Sequence, residues 1–180
     1  AYVARNYFYI NKDVKITVDD ARHFIKTCSQ KYDVIIFDTF KGEDPPNHVF
    51  TTESLAEAKK LLNKDGIIFV NSMGYIDHKI GKAMRSIYKT FIAAGFKVEV
   101  LPTEANPDQR NLLFHASLSH INPNTAFIPQ SKIDLEDAVV LQDAYPILDI
   151  LNADAAHRWR SMAMSSFNNG FSSTSLPVFN

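Results

Sequence analysis

Apolar and polar positions along this chain follow two patterns, one typical of helices and one typical of strands. Helical spacing of apolar residues predicts a helix ending near residue 9, a second over 21–29, a third beginning at Thr52 and a long one over 76–94. Short β-branched and aromatic runs predict strands, which fall at 14–18, 33–38, 66–72, 96–102 and 111–118. Strand and helix therefore alternate as far as about residue 104.

This alternation predicts an open α/β sheet built from right-handed crossovers. The four consecutive apolar residues at 34–37 indicate a strand that is buried on both faces, as in a parallel sheet. The last two strands, 96–102 and 111–118, are joined without a helix, so we expect them to be antiparallel.

The pattern weakens beyond residue 120. We expect an α/β domain over 1–120, a C-terminal helical extension over 121–160 that is interrupted near Pro146, and a polar tail over 161–180.

Polar residues stand where the predicted strands end. Asp20 follows the first strand, Asp38 closes the second and Asn71 lies at the end of the third. Ligands of open α/β sheets bind outside the carboxyl ends of the strands. Each acid alone is better explained as a helix cap or a loop residue. Their coincidence at one end of the sheet favours a ligand site.

Composition narrows the functional classes. The 46% hydrophobic content is that of a globular chain, and the net charge of −1 gives no basic field for nucleic acid or an anionic membrane. The single cysteine, Cys28, excludes an internal disulfide and a paired-cysteine zinc site, and it favours a reducing, cytoplasmic setting. The six histidines include no i,i+4 pair, so we expect no metal.

Three motifs resemble one known family. They are D-A-R-x-F at 20–24, Y-D-V-I-I-x-D at 32–38, and V-F-T-T-E at 49–53 after a proline-containing loop. Together they are similar to spermidine synthase and the bacterial polyamine aminopropyltransferases. The segment L-Q-D-A-Y-P-I-L-D at 141–149 is similar to bacterial members fused to a membrane region, which leaves open that this chain is the cytosolic part of a longer protein.

The resemblance implies a fold and a reaction. The fold is the Rossmann-like sheet of S-adenosylmethionine-dependent methyltransferases. The reaction transfers an aminopropyl group from decarboxylated S-adenosylmethionine to an amine. Asp38 matches the first acid of the family's D-x-x-D loop, which orients the amine and receives its proton, and Phe50 matches an aromatic residue that closes the loop.

The resemblance also implies a site for the nucleoside. Asp20 and Ala21 match the acid and the small residue that hold the adenine amino group. Thr39 and Phe40 would line the same pocket, and Pro45 matches the family's loop proline.

Two departures from the family change the expectation. The second acid of D-x-x-D is Lys41 here, which would repel a cationic diamine such as putrescine unless Glu43 or Asp44 took its place. All six glycines stand apart, so the family's G-x-G nucleoside loop is lacking. We therefore expect an incomplete sheet whose first two strands are absent, and a chain that is inactive alone. Its open strand edges would favour a homodimer.

Two other functions stay open. One is a methyltransferase on the same scaffold that uses S-adenosylmethionine itself. The other is a domain without catalysis that serves association or regulation, for which Lys41 is the main support.

Overall fold

The computed structural model describes residues 2–39, 44–119 and 126–170, with side chains as far as 165. The strands of the described part are β1 (Tyr32–Phe37), β2 (Leu62–Met73), β3 (Lys97–Pro102) and β4 (Asn111–Ser117). The helices are α1 (Tyr2–Tyr7), α2 (Ala21–Thr27), α3 (Thr52–Lys60), α4 (Lys82–Ala93) and α5 (Leu148–Gly170), with 3-10 turns at Lys79–Gly81 and Gln130–Lys132.

The strands form one mixed sheet in the order β1-β2-β4-β3. β1 runs parallel to β2, and β4 is antiparallel to both β2 and β3. The crossover from β1 to β2 passes through α3, as right-handed α/β units require. The predicted open α/β sheet and its antiparallel last strand are confirmed.

Local sequence explains where the helices start and stop. The Asp20 carboxylate caps α2 by accepting from the backbone N–H groups of Arg22 and His23, and the Thr51 hydroxyl caps α3 by accepting from Ser54. The helix predicted over 76–94 begins only at Lys82, because a 3-10 turn precedes it. It ends before Gly95, whose φ of +86° suits a residue without a Cβ.

Aromatic and branched side chains fill the core between the sheet and α3 and α4. Phe91 of α4 meets Phe96 edge to face, with ring centroids 5.5 Å apart. Phe114 of β4 and Ile68 of β2 are fully buried in the same cluster. This packing holds the sheet rigid and so fixes the positions of its strand ends.

Two expectations about strands are wrong. Residues 14–18 form no strand in the structure. β1 is not buried on both faces, since Val34 is 45% exposed and Ile36 is 66% exposed. The reason is that β1 is the outermost strand of the sheet and pairs only with β2 among the described residues. An apolar run therefore marks a strand without saying how many neighbours cover it.

The C-terminal part packs back on the domain through a buried arginine. Arg85 of α4, 3% exposed, donates from Nη1 to the carbonyl oxygens of Ile76 (2.7 Å) and His78, and from Nη2 to Asp137 (2.7 Å). It thereby ties α4 to the loop before the 3-10 turn and to the segment that leads to α5. Within the described residues, no helix combines the length and the apolarity needed to cross a membrane.

Replacing Arg85 should destabilise the fold strongly. We expect Arg85→Met to lower the free energy of unfolding by about 3 kcal/mol, because two carbonyl groups and a carboxylate lose their donor. Lys79→Met is the control, since Lys79 is 86% exposed in its ion pair with Asp154 and should cost less than about 1 kcal/mol. Urea unfolding followed by circular dichroism measures both. Equal losses in the two variants would contradict the buried role of Arg85.

Candidate functional site

A row of polar side chains crosses three strands at the carboxyl end of β1 and β2. Asp38 directly follows β1, Asn71 lies near the end of β2, and Asn111 begins β4. Asn71 Nδ2 donates to Asp38 Oδ1 (3.2 Å), and Asn111 Nδ2 donates to Asn71 Oδ1 (3.0 Å). The Asn71 amide thus orients the Asp38 carboxylate from one side, and the Asn111 amide in turn orients the Asn71 amide.

Strand register explains this row. Phe37 pairs with Val70 in the parallel ladder, so the next residues, Asp38 and Asn71, are neighbours at the same level. Asn71 stands opposite Leu113 of β4, and Asn111 is two residues from Leu113 and therefore on the same face.

Asp20 lies at the start of α2 and makes separate contacts. Its Oδ1 accepts from the backbone of Arg22 (2.9 Å) and His23 (3.1 Å), while its Oδ2 lies 3.0 Å from His48 Nε2. The backbone N–H of His23, followed by the His48 side chain, holds the pKa of Asp20 below its ordinary value. Asp20 is therefore a helix cap whose second oxygen faces a histidine.

A groove of about 430 Å³ runs along the outer edge of β1, from Tyr32 at its start to Thr39 beyond its end. We call it the β1 groove; its lining residues are Lys15, Thr17, Asp19, Ala21, Phe24, Ile25, Tyr32, Val34, Ile35, Ile36, Phe37, Thr39 and Leu61. Its volume is within the range of roughly 300–1,000 Å³ that is usual for ligand sites.

Two residues predicted to bind the nucleoside, Ala21 and Thr39, both line this groove. The Thr39 hydroxyl is buried and has no hydrogen-bond partner among the described residues. A buried hydroxyl without a partner is costly unless a ligand or water satisfies it. The Thr39 end of the β1 groove is therefore suited to a polar ligand group.

The remaining predicted residues fall in different places. Pro45 is buried. Phe50 is fully buried and packs edge to face on Phe37, with centroids 5.8 Å apart, so it belongs to the core. Phe40, Lys41 and Glu43 lie outside the described residues. The structure brings Asp38 and Asn71 into contact, and it places Asp20 against His48.

Sequence reasoning missed two of these partners. Asn111 was visible as the first residue of a strand, but only antiparallel pairing with β2 shows that its amide reaches Asn71. His48 lies in the loop that follows Asp38, and nothing in the sequence indicates that it faces Asp20.

A second polar cluster lies at the end of β2 and joins it to α5. Asp108 accepts from the Tyr75 hydroxyl (2.6 Å) and takes two hydrogen bonds from Arg158, at 2.7 Å from Nε and 2.5 Å from Nη2. Arg158, followed by Tyr75, holds the pKa of Asp108 at about 2, while burial and the Asp108 contact raise the pKa of Tyr75 to about 12. Such a bidentate pair fixes α5 beside the strand ends.

In the described part of the chain, no group of three or more His, Cys, Asp or Glu side chains is arranged to hold a metal ion.

Comparison with known proteins agrees with this fold. The family model for the spermine/spermidine synthase domain matches residues 2–107. The chain is 31% identical to the polyamine aminopropyltransferase of Vibrio vulnificus over 164 residues, which cover 84% of this chain and 51% of that protein. It is 28% identical over 128 residues to the N-terminal histidine N-methyltransferase of Emericella nidulans, covering 68% of this chain and 23% of that protein.

A solved structure has the same fold. It is a probable spermidine synthase from Corynebacterium glutamicum, with a TM-score of 0.59 at 23% identity, covering 69% of this chain and 46% of that one. The chain thus spans about half the length of the Vibrio relative and of this structure, and less of the fungal methyltransferase.

The Asp108 cluster should make stability depend on acid pH. The carboxylate has a pKa of about 2 when folded and about 3.9 when unfolded, so its contribution is present above pH 4 and is lost as the pH falls toward 2. We expect the melting temperature of Asp108→Asn to lie below wild type at pH 6, with the gap narrowing steadily below pH 4. The control Asp154→Asn removes an exposed carboxylate and should show a small gap. A gap for Asp108→Asn that stays constant with pH would contradict this.

Proposed function

Because the chain belongs to the spermine/spermidine synthase family, we propose that it supplies the amine side of an aminopropyl-transfer site with Asp38 as the base. The nitrogen lone pair of the acceptor amine attacks the aminopropyl carbon beside the sulfonium of decarboxylated S-adenosylmethionine. The carbon–nitrogen bond forms, the carbon–sulfur bond breaks with its electron pair going to sulfur, and the amine proton passes to the Asp38 carboxylate.

The observation that carries the proposal is the geometry of Asp38. Its side chain is exposed beyond the carboxyl end of β1, where the Asn71 amide donates a hydrogen bond to its Oδ1. Oδ2 has no partner among the described residues and remains available to an amine. An ammonium ion lacks a lone pair, so a carboxylate positioned in this way serves both to attract the amine and to accept its proton.

The nucleoside is proposed to bind at the Thr39 end of the β1 groove. Ala21 also lines the groove, and the unpartnered Thr39 hydroxyl offers a hydrogen bond. Asp20 would accept from the adenine amino group once His48 moves from Oδ2. Pro45, and Phe40 from the family resemblance, would complete the wall. When bound, the sulfonium makes the aminopropyl carbon electrophilic.

The reaction is assigned to the natural protein that carries these 180 residues, since the chain spans about half of the Vibrio relative. We propose that the chain alone is inactive, because it contains no G-x-G turn to receive the nucleoside.

Asp38→Asn should remove the activity. We expect turnover of that protein to fall by about 100- to 10,000-fold, the usual contribution of a general base, while methylthioadenosine still raises its melting temperature. Asp33→Asn is a matched control, because Asp33 lies at the opposite end of β1 and bonds Asn63. Transfer is measured by mass spectrometry of the polyamine product. Full activity of Asp38→Asn would exclude Asp38 as the base.

A methyltransferase is the second candidate, supported by the similarity to the fungal histidine methyltransferase. Mass spectrometry of the two donors separates the candidates, because a methyltransferase would consume S-adenosylmethionine and ignore its decarboxylated form. If neither donor is consumed and methylthioadenosine gives no thermal shift, the domain serves association or regulation instead.

We also propose that the outer edge of β1 pairs with a second copy of this chain when no nucleoside occupies the β1 groove. Val34 and Ile36 point the same way from the strand and are largely exposed. Residues 15–19 and α2 flank the far side of the groove without pairing to β1. An unpaired edge of this kind is a template for another strand, and two identical edges can pair antiparallel.

Ile36→Lys should therefore weaken self-association. We expect light scattering with size exclusion to give about twice the 20.3 kDa chain mass for wild type and the single-chain mass for Ile36→Lys, because a lysine on the edge opposes strand addition. Ile150→Lys is the control, since Ile150 is 69% exposed on α5, close to the 66% of Ile36. A single-chain mass for wild type at all concentrations would refute the dimer.

A further inference from the structure

We infer that Asn111 is a positioning residue which acts on Asp38 through Asn71. The inference rests on the proposed function, because it concerns how the proposed base is oriented. It follows from the order of hydrogen bonds across β1, β2 and β4, in which every donor and acceptor is determined by its neighbour.

Asp38 determines which atoms donate and which accept in these hydrogen bonds. An ionised carboxylate only accepts hydrogen bonds, so the Asn71 group that faces it at 3.2 Å must be the NH₂. The Asn71 oxygen is then turned away from β1, toward β4. An amide oxygen in that place needs a donor, and the Asn111 NH₂ supplies one at 3.0 Å.

The backbone around Asn111 holds its amide in place. Asn111 and Thr103 pair at the end of β3 and β4: Thr103 N donates to Asn111 O (2.9 Å), and Asn111 N donates to Thr103 Oγ1 (2.8 Å). Asn111 is therefore anchored on both sides of its Cα before its side chain reaches Asn71. A donor on rigid backbone fixes its acceptor better than a donor on a free loop.

Without Asn111, the Asn71 side-chain oxygen has no donor, and one of the two hydrogen bonds that orient this amide is lost. Its two ends are almost the same shape, so only hydrogen bonds decide between them. A carboxylate in place of the Asn111 amide would attract the Asn71 NH₂ and turn the Asn71 oxygen toward Asp38. Two oxygens would then face each other, and the Asp38 carboxylate would swing out of the plane in which it meets the amine.

Kinetics of the natural protein test this inference. We expect Asn111→Asp to lower kcat about tenfold with little change in KM for the amine, the effect of losing one orienting hydrogen bond. In an Asn71→Ala background the same change should add nothing further, because its route to Asp38 is gone. Asn63→Asp is the matched control: it makes the same change in β2 at the opposite end, where Asn63 bonds Asp33 at 2.8 Å, and kcat should be kept.

A magnetic resonance measurement on this chain needs no activity. In wild type, the Asn71 side-chain NH₂ protons should give nuclear Overhauser contacts to the Asp38 β-protons. In Asn111→Asp, the Asn71 NH₂ protons should instead give contacts to the β-protons of residue 111. Unchanged contacts, or additive losses of kcat in the double variant, would overturn the inference. An absence of aminopropyl transfer in wild type would instead refute the proposed function and leave this measurement to decide the role of Asn111.

Discussion

The parallel pairing of β1 with β2 is the constraint on which the site depends. Phe37, the last residue of β1, pairs with Val70 of β2, so the residues that follow them, Asp38 and Asn71, become neighbours. That register alone places the Asp38 carboxylate against the Asn71 amide. A shift of one residue would turn one of the two side chains to the opposite face of the sheet. The buried contacts of Ile68 and Val70 prevent such a shift, since both are fully enclosed in the core.

The antiparallel strand β4 contributes its first residue to the end of the sheet at which β1 and β2 place their carboxyl ends. Parallel strands bring only their carboxyl ends to the site, whereas β4 brings its first residue, Asn111. Its insertion between β2 and β3 therefore adds an amide that a purely parallel sheet could not supply. The same end also receives the Asp108–Arg158 pair, through which α5 is held beside the strands.

The outer side of β1 contrasts with this ordered side. The core buries one face of the strand through Phe37, while Val34 and Ile36 remain exposed on the other. Residues 15–19 lie beside the groove without pairing to β1, which leaves a groove rather than a continued sheet. An apolar surface beside unpaired backbone groups is unfavourable in water, so a strand or a ligand that covers it gains both burial and hydrogen bonds.

The sequence by itself determined the α/β class, the positions of most helices and strands, the antiparallel last pair and the family. These follow from local periodicity, from capping residues such as Asp20 and Thr51, and from motifs that are contiguous in the chain. Only the tertiary structure decided that residues 14–18 form no strand, that β1 is outermost, and that Phe50 belongs to the core. It alone joined Asn111 to Asn71 across 40 positions and His48 to Asp20 across 28. Periodicity reports which faces of an element are apolar, but partners distant in sequence are set by strand order and packing.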